Sequence, residues 1–315
     1  MNMANEDPLR YLTEPLRKVA QRHFNPDETI LIAIYIQHNV HHVQERWLGF
    51  KLEKQVELPT RAFILTTERA LILDDPTDLA TSTADRDYLV ASCTLNRIMF
   101  FELRSHLLDC ALTLIMATSN GPKRVTIEYN GVSEHAFLGA VASMRVLLDH
   151  LPLPSYMRPD ETYARERTTS WVGWHAVLAK LGIRLENAVT RYLVAGEEVQ
   201  QCLAVPVIDE SKWWQRFGLG AHEQPPAALV RTERQILLVK EVKRIVRGVT
   251  SYGSDAWLMP KAHLQTATIV SGQHEPELQL TLEHLGVTST VRLPVLHEHA
   301  ERALALVLSH LSTSG

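Results

Sequence analysis

Short runs of apolar residues separated by polar turns dominate the chain, and this pattern predicts β-strands. The longest run, Ile30 to Ile36, contains seven apolar residues, which suits a buried strand and falls far short of the ~20 that cross a bilayer. Residues 112–114 and 290–293 alternate apolar and polar side chains, as half-buried strands do. The chain is therefore predicted to be mostly β.

Two amphipathic helices interrupt this β pattern, one near the middle of the chain and one at its end. In each, apolar residues recur at spacings of three and four and form one stripe. The first stripe follows the N-cap candidate Ser133 and consists of Phe137, Val141, Met144, Leu148 and Leu151; the second consists of Leu296, Ala300, Leu304, Val307 and Leu311. Prolines 152, 154 and 159 are expected to stop the first helix.

An internal repeat organises the chain into two halves. Residues 62–73 align without gaps on residues 227–238, offset by 165, with five of twelve positions identical. Each copy reads as two strands around a Thr-Glu-Arg turn, the pattern of a β-hairpin. A strand precedes each hairpin, and further strands and a helix follow it in the same order. We therefore expect a first domain at 1–151, a linker with a short helix at 152–183, and a second domain at 184–315.

The repeated elements resemble those of the bacterial pleckstrin-homology-like (PH-like) family. The hairpin element is 63–73 in the first copy and 226–238 in the second, and the fourth-strand element is 93–98 and 259–264. The resemblance implies an α+β, mostly β fold with two PH-like, partly open β-barrels, each closed by its C-terminal amphipathic helix. It implies no catalytic residues, because the shared pattern consists of core and turn positions.

Composition and charge narrow the class of protein. The 315 residues are 45% hydrophobic and carry a formal net charge of -4, which is typical of a globular protein and does not favour nucleic acid as a partner. The three cysteines are isolated and predict no disulfide framework, as in a reducing cytosol. The first 25 residues lack the continuous apolar stretch of a signal peptide. We expect a cytoplasmic protein without a transmembrane segment.

A cluster of four cations within eight residues is a candidate anion site, able to hold a phosphate or an anionic lipid headgroup. Its members are Lys240, Lys243, Arg244 and Arg247. The alternative is a solvated strand edge, because lysines commonly protect exposed strands from unwanted pairing.

Four of the six tryptophans form a second candidate site: Trp171, Trp174, Trp213 and Trp214. If exposed, indoles next to cations would suit a membrane interface or a protein partner. If buried, they would pack between the two halves and fix their orientation, which is the interpretation we favour.

Other chemistry is weakly indicated. His38, His41 and His42 have no acidic or cysteine partner at ligand spacing, so they are interpreted as surface-loop residues and no metal site is predicted. The motifs of serine hydrolases, zinc proteases, phosphate-binding loops and dinucleotide-binding proteins are absent from the sequence. We predict no cofactor.

Two hypotheses of function remain open. The first is a non-enzymatic binding or scaffold protein whose tandem PH-like barrels bind a protein partner, a second copy of the chain or an anionic surface. The second is a hydrolase or ligand-processing enzyme with its site at the cleft between the domains. A deep pocket with a buried histidine or carboxylate would favour the enzyme.

Overall fold

The computed structural model describes residues 7–25, 27–47, 50–75, 89–106, 109–149, 171–206, 226–246, 249–272 and 276–309, with the side chains of 39–57, 89, 206 and 243–251 not included. Its α-helices are α1 (Glu14–His23), α2 (Glu134–Leu148), α3 (171–178), α4 (Ile183–Thr190) and α5 (His297–Leu308). None of the helices in these ranges is long and apolar enough to cross a membrane.

The strands of the first half are β1 (Ile30–Ile36), β2 (Asn39–Trp47), β3 (Phe50–Leu58), β4 (Thr60–Thr66), β5 (Arg69–Asp75), β6 (Leu89–Thr94), β7 (Ile98–His106), β8 (Asp109–Thr118) and β9 (Gly121–Tyr129). Those of the second half are β10 (Val199–Pro206), β11 (Pro226–Thr232), β12 (Gln235–Val246), β13 (Val249–Pro260), β14 (Leu264–Ser271), β15 (Pro276–His284) and β16 (Val287–Pro294). The prediction of a mostly β fold is confirmed.

The strands form several antiparallel sheets. One has the order β1-β4-β5-β6, a second β10-β11-β12-β13-β7-β8-β9 and a third β14-β15-β16. The hairpin β2-β3 forms a two-stranded sheet of its own. None of these sheets, as far as the strands are described, closes into a barrel. The partly open PH-like barrel therefore stays a prediction.

Both halves of the chain build the same sequence of elements. In each, four strands of one sheet are followed by a short 3-10 turn, three strands of another sheet and an α-helix. The 3-10 turns are Leu95–Arg97 and Lys261–His263. The first half adds the hairpin β2-β3 between its first two repeated strands.

The hairpin turns show that the sequence alignment at offset 165 is wrong by one residue. Thr66 Oγ1 accepts from the backbone N–H of residues 68 and 69, and Thr232 Oγ1 accepts from those of residues 234 and 235. Thr66 and Thr232 are therefore equivalent, at offset 166. Two further backbone hydrogen bonds correspond at the same offset. Leu95 N–H donates to the carbonyl oxygen of Glu68, and Lys261 N–H donates to that of Arg234. The alignment at offset 165 matches the identical residues Thr-Glu-Arg and so pairs Thr67 with Thr232. The hydrogen bonds of the turns instead pair Thr66 with Thr232.

The hairpin β2-β3 corrects a second interpretation. The prediction of a surface loop is wrong for His41 and His42, which lie on β2 and pair in the ladder with Val56 and Gln55. His38 lies between β1 and β2. The sequence does not reveal the two strands of this hairpin because polar and charged residues interrupt the apolar pattern there.

The described residues divide into two compact units. Unit 1 consists of Met1–Asn96, Leu108–Cys110 and Ile127–Met157; unit 2 consists of Arg97–Leu107, Ala111–Thr126 and Arg158–Gly315. The division follows the sheets, so most of β7, β8 and β9 belongs to unit 2. Whether residues 1–151 and 184–315 fold independently stays a prediction.

Unit 1 packs a helix on each face of the sheet β1-β4-β5-β6. On one face, Leu16 and Ala20 of α1 join a cluster with Ala62 and Ile64 of β4. On the other face, the ring of Phe137 from α2 lies 5.4 Å from that of Phe63 and stacks 4.0 Å from that of Tyr129. All three rings are at most 1% exposed, so this aromatic group is the core beneath α2.

Unit 2 is built on the ladder that pairs β13 with β7. This ladder joins residues of the two sequence repeats into one sheet. A Cβ atom on Gly253 would lie 2.3 Å from the carbonyl oxygen of Ser105 and 2.4 Å from Cδ2 of His106, so only glycine fits there. His106 is 7% exposed, and its Nε2 lies 3.1 Å from Oδ1 of Asp255.

The two predicted helix stripes are confirmed for the residues that the structure describes. Phe137, Val141, Met144, Ala300 and Val307 are buried. Leu148, Leu296 and Leu304 are half-buried, and Leu151 and Leu311 lie outside the described residues. All three cysteines, Cys93, Cys110 and Cys202, are buried, and none of them forms a disulfide.

Candidate functional site

A groove of about 600 Å³ lies in unit 1 along β1 and α2. On the strand side it is lined by the four consecutive residues 32–35. On the helix side its lining residues are Val132, Ser133, His135, Ala136, Gly139 and Ser143, and Tyr11 completes it. This concave surface is the candidate site.

The two faces of β1 explain how this groove forms. Ala33 and Tyr35 pack towards the cluster of α1. Ile34 is paired in the ladder with Phe63, which contacts Phe137 of α2, so Ile34 belongs to the opposite face. The helices therefore cover the two faces of the sheet, and the groove runs over the side of β1 that faces away from β4.

Large apolar side chains are exposed at the groove. Val132 is 87% exposed and Tyr11 is 62% exposed, although both line the concave surface. The guanidinium carbon of Arg10 lies 4.5 Å from the centroid of the Tyr11 ring, a cation–π contact that holds the phenol in place. Exposed apolar groups gathered around a concavity are typical of a binding surface.

The lining of the groove carries little charge. Among the lining residues that the structure describes, His135 carries the one imidazole, and none is a carboxylate, lysine, arginine or cysteine. The hydroxyl of Ser143 donates a hydrogen bond of 2.9 Å to the carbonyl of Gly139 within the helix. A Cβ atom added to Gly139 would meet no atom within 4 Å, so this glycine leaves open space in the groove.

A buried carboxylate fixes the start of β1. Glu28 accepts hydrogen bonds of 2.9 and 2.7 Å from Nε and Nη2 of Arg69 and one of 2.5 Å from Thr66 Oγ1. The Arg69 guanidinium, with help from Thr66 and the backbone N–H of Asn25, lowers the pKa of Glu28 from 4.5 to about 2, although burial opposes the shift. The same contact raises the pKa of Arg69. This network ties the hairpin turn to the segment that precedes β1.

The second repeat keeps the carboxylate and changes its partner. Glu197 accepts a hydrogen bond of 2.7 Å from Thr232 Oγ1 and one of 3.0 Å from the backbone N–H of Val194. Because Thr232 is equivalent to Thr66, the residue at the position of Arg69 is Gln235, which is 1% exposed. The arginine that neutralises Glu28 is therefore a glutamine in the second repeat.

The predicted tryptophan cluster is described only in part. Trp174 is 2% exposed, and its Nε1 donates a hydrogen bond of 2.6 Å to the carbonyl of Glu197. Trp171, on the same helix α3, is 47% exposed and stacks on His175 with the ring centroids 5.1 Å apart. Trp213 and Trp214 lie outside the described residues. The role of the set at a junction between the halves stays a prediction.

The predicted anion site is also described in part. Lys240 is half-buried on β12 and pairs in the ladder with Asp255 of β13. The backbone positions of Lys243 and Arg244 are opposite Tyr252 and Ser251. Arg247 lies outside the described residues. Anion binding by the four cations stays a prediction.

Histidines are the remaining candidates for chemistry. The rings of His263 and His284 are tilted by 33° with their centroids 4.0 Å apart, and His263 Nδ1 lies 2.8 Å from the carbonyl oxygen of Met99. Burial lowers the pKa of His263. No group of three or more histidine, cysteine, aspartate or glutamate side chains able to hold a metal occurs among the described residues.

The sequence did not predict the groove. The apolar run Ile30 to Ile36 indicates a strand buried on both sides, whereas the structure places it at the edge of its sheet.

No protein-family model matches this chain, and no curated protein matches it at a significant level.

Proposed function

We propose that the chain is a non-enzymatic binding or scaffold protein, built from two PH-like, partly open barrels, that holds a protein partner in the groove of unit 1. The observation that carries this proposal is the groove itself, an uncharged concavity of about 600 Å³ with the exposed apolar side chains of Tyr11 and Val132 beside it. Burial of such side chains contributes roughly 25 cal/mol per Å² of apolar surface removed from water.

The order of elements supports the PH-like part of the proposal. Each repeat contributes four strands to one sheet and three to another and ends in a helix. Local geometry supports it as well, because the turn threonines Thr66 and Thr232 and the two 3-10 turns correspond at offset 166.

The chemistry of the groove favours binding over the enzyme hypothesis. A hydrolase needs a nucleophile or activated water and a base held in the correct orientation. No carboxylate accompanies His135 among the described lining residues, and the Ser143 hydroxyl donates a hydrogen bond to Gly139 O. The lining is therefore suited to excluding water from an apolar partner.

A groove-filling variant tests the proposal. Gly139→Leu places a side chain in the open space, and Gly173→Leu makes the same change on the exposed part of helix α3, where an added Cβ also meets no atom within 4 Å. Both chains and the wild type are used for quantitative affinity purification from cells that express the protein.

We expect proteins that are retained by the wild type and by Gly173→Leu and are lost with Gly139→Leu. If the three chains retain the same set of proteins, the groove is not the binding surface and the proposal is wrong.

A further inference from the structure

We infer that the groove takes an extended, uncharged apolar segment of the partner protein, which pairs with β1 and adds a fifth strand to the sheet β1-β4-β5-β6. This inference rests on the proposed function and specifies the form of the ligand at the same site. Its basis is that one wall of the groove is a strand whose second side has no neighbour among the described strands.

The first step is the hydrogen-bonding capacity of β1. Within the described part of the chain, β1 pairs with β4 and with no other strand. In an antiparallel ladder, alternate residues direct their N–H and C=O groups away from the first partner. From Ile32 to Ile36 the register is regular, and the one irregularity lies between Ile30 and Ile32. The regular part of β1 therefore presents a row of backbone groups to the groove.

The second step is that β1 lacks the protection that free strands usually carry. Proteins guard such strands with charged residues or proline, because otherwise they pair with other chains. The first strand of the second repeat, β10, contains Gln200, Gln201 and Pro206, and β9 contains Lys123 and Arg124. The sequence of β1 is Ile-Leu-Ile-Ala-Ile-Tyr-Ile, without a polar amide, charge or proline. Such a strand is suited to pairing.

The third step concerns the chemistry of the added segment. Away from Tyr11, whose ring contacts the Arg10 guanidinium, the described lining offers no carboxylate, lysine or arginine. A charged side chain placed there would lose water without gaining an ion pair, which is costly. Apolar side chains would instead contact Val132, Ala136 and the open space at Gly139. Residues 32–35 line the groove, which corresponds to about 13 Å of strand at ~3.3 Å per residue. About four residues of the partner would therefore be held.

The fourth step favours a single peptide strand over a second copy of this chain. Strands pair at about 4.8 Å, and β1 lies between Tyr11 on one side and α2 on the other. A second β1 would bring its own Tyr11 and its own α2 against these walls. A lone extended segment brings none, so it fits the groove where a second folded copy is obstructed.

The experiment uses the full chain and a phage-displayed library of random dodecapeptides. The peptides selected on the wild type are synthesised, and their affinities are measured by fluorescence anisotropy for the wild type, Gly139→Leu and Gly173→Leu. Ala136→Glu serves as a second groove variant at an exposed helix position, where the fold tolerates a charge. Circular dichroism verifies that each variant is folded.

We expect the selected peptides to share a run of about four uncharged apolar residues. Both groove variants should weaken binding by about tenfold or more, and Gly173→Leu by less than about twofold. Methylation of single backbone amides in the peptide should weaken binding about tenfold at alternate positions and leave the positions between them nearly unaffected, because only every second amide faces β1.

Three results would overturn the inference: no enriched peptide, binding that the groove variants leave unchanged, or methylation effects without alternation. The proposed function fails separately. If the affinity purification shows groove-dependent partners and the library selects no apolar peptide, the binding function stands and strand addition is wrong. If neither experiment depends on the groove, both are wrong.

Discussion

Replacement of Glu28 by glutamine tests the role of the buried carboxylate at the start of β1. Glutamine keeps the shape of the side chain and removes its charge. Because Arg69 donates to both oxygens of Glu28 and the amide nitrogen of glutamine cannot accept, one of the two bonds is lost and the other loses its ionic character. The side chain of Glu28 is fully buried and that of Arg69 is 20% exposed, so solvent screens this pair little. A carboxyl whose pKa falls from 4.5 to about 2 on folding contributes about 3 kcal/mol at neutral pH.

The sign of the pH dependence follows from the lowered pKa. Because the folded protein holds the Glu28 proton less tightly than the unfolded chain, the contribution is complete above about pH 5.5. It is lost as the pH falls through the interval from about 4.5 to about 2. We expect Glu28→Gln to lower the free energy of unfolding by about 2 to 3 kcal/mol at pH 7 and the difference from the wild type to shrink at pH 3.

The matched control is Glu197→Gln. At this position Oε1 of the carboxylate accepts the bond from Thr232 and Oε2 accepts the bond from the backbone N–H of Val194, so glutamine keeps only one of the two bonds, through its carbonyl oxygen. We therefore expect a cost of about 1 kcal/mol, below that of Glu28→Gln. Hydrogen exchange with mass spectrometry, followed on the peptides that contain β4 and β5, reports the stability of unit 1 in the full chain.

Two results would refute this reasoning. One is a change of less than about 0.5 kcal/mol at pH 7 in Glu28→Gln. The other is a difference from the wild type that is the same at pH 7 and pH 3, because it would mean that packing and not charge explains the loss.

Three further changes have defined outcomes. Phe137→Ala removes a fully buried ring that contacts Phe63 and Tyr129, so urea denaturation should show a loss of about 3 to 5 kcal/mol, and a loss below 1 kcal/mol would contradict the assigned core. Gly253→Ala forces a methyl group against Ser105 and His106 and should lower the melting temperature, whereas Gly173→Ala, on an open helix face, should preserve or raise it. If Lys240, Lys243, Arg244 and Arg247 bind anions, the wild type should sediment with anionic vesicles at low salt and Lys243→Glu with Arg247→Glu should not; a wild type that ignores the vesicles excludes the site.

The sequence predicts the strands and helices of this protein better than it predicts their neighbours. The hairpins at 62–73 and 227–238 and the stripes of α2 and α5 were recognised because side-chain periodicity follows directly from backbone geometry. The one-residue error in aligning the repeats has a physical origin. The position of each turn is defined by the threonine whose hydroxyl accepts hydrogen bonds from the turn amides. In the sequence Thr67 aligns with Thr232, but in the structure it is Thr66 that makes the bonds equivalent to those of Thr232.

The groove illustrates a second limit. Seven apolar residues at 30–36 satisfy every rule for a strand buried between two neighbours, and pairing partners are a property of the whole fold. The sequence alone therefore could not show that β1 has one described neighbour. Gly253 is a similar case, because only the close approach of β7 reveals why a side chain is excluded there.

The pairing of β7 with β13 has a consequence for how the chain can be divided. The second sequence repeat does not contain all the strands of its own sheet. One neighbour of β13 is β7, which belongs to the first repeat. A gene fragment cut at residue 184 would release Ser254 to Leu258 from that neighbour and should self-associate. A fragment that starts at 97 retains that neighbour, but it contains α2 without the sheet β1-β4-β5-β6 that buries Phe137, so the apolar face of this helix should also promote association. Truncations for biochemical work, and any exchange of repeats between related chains, are better designed around sheets than around repeats.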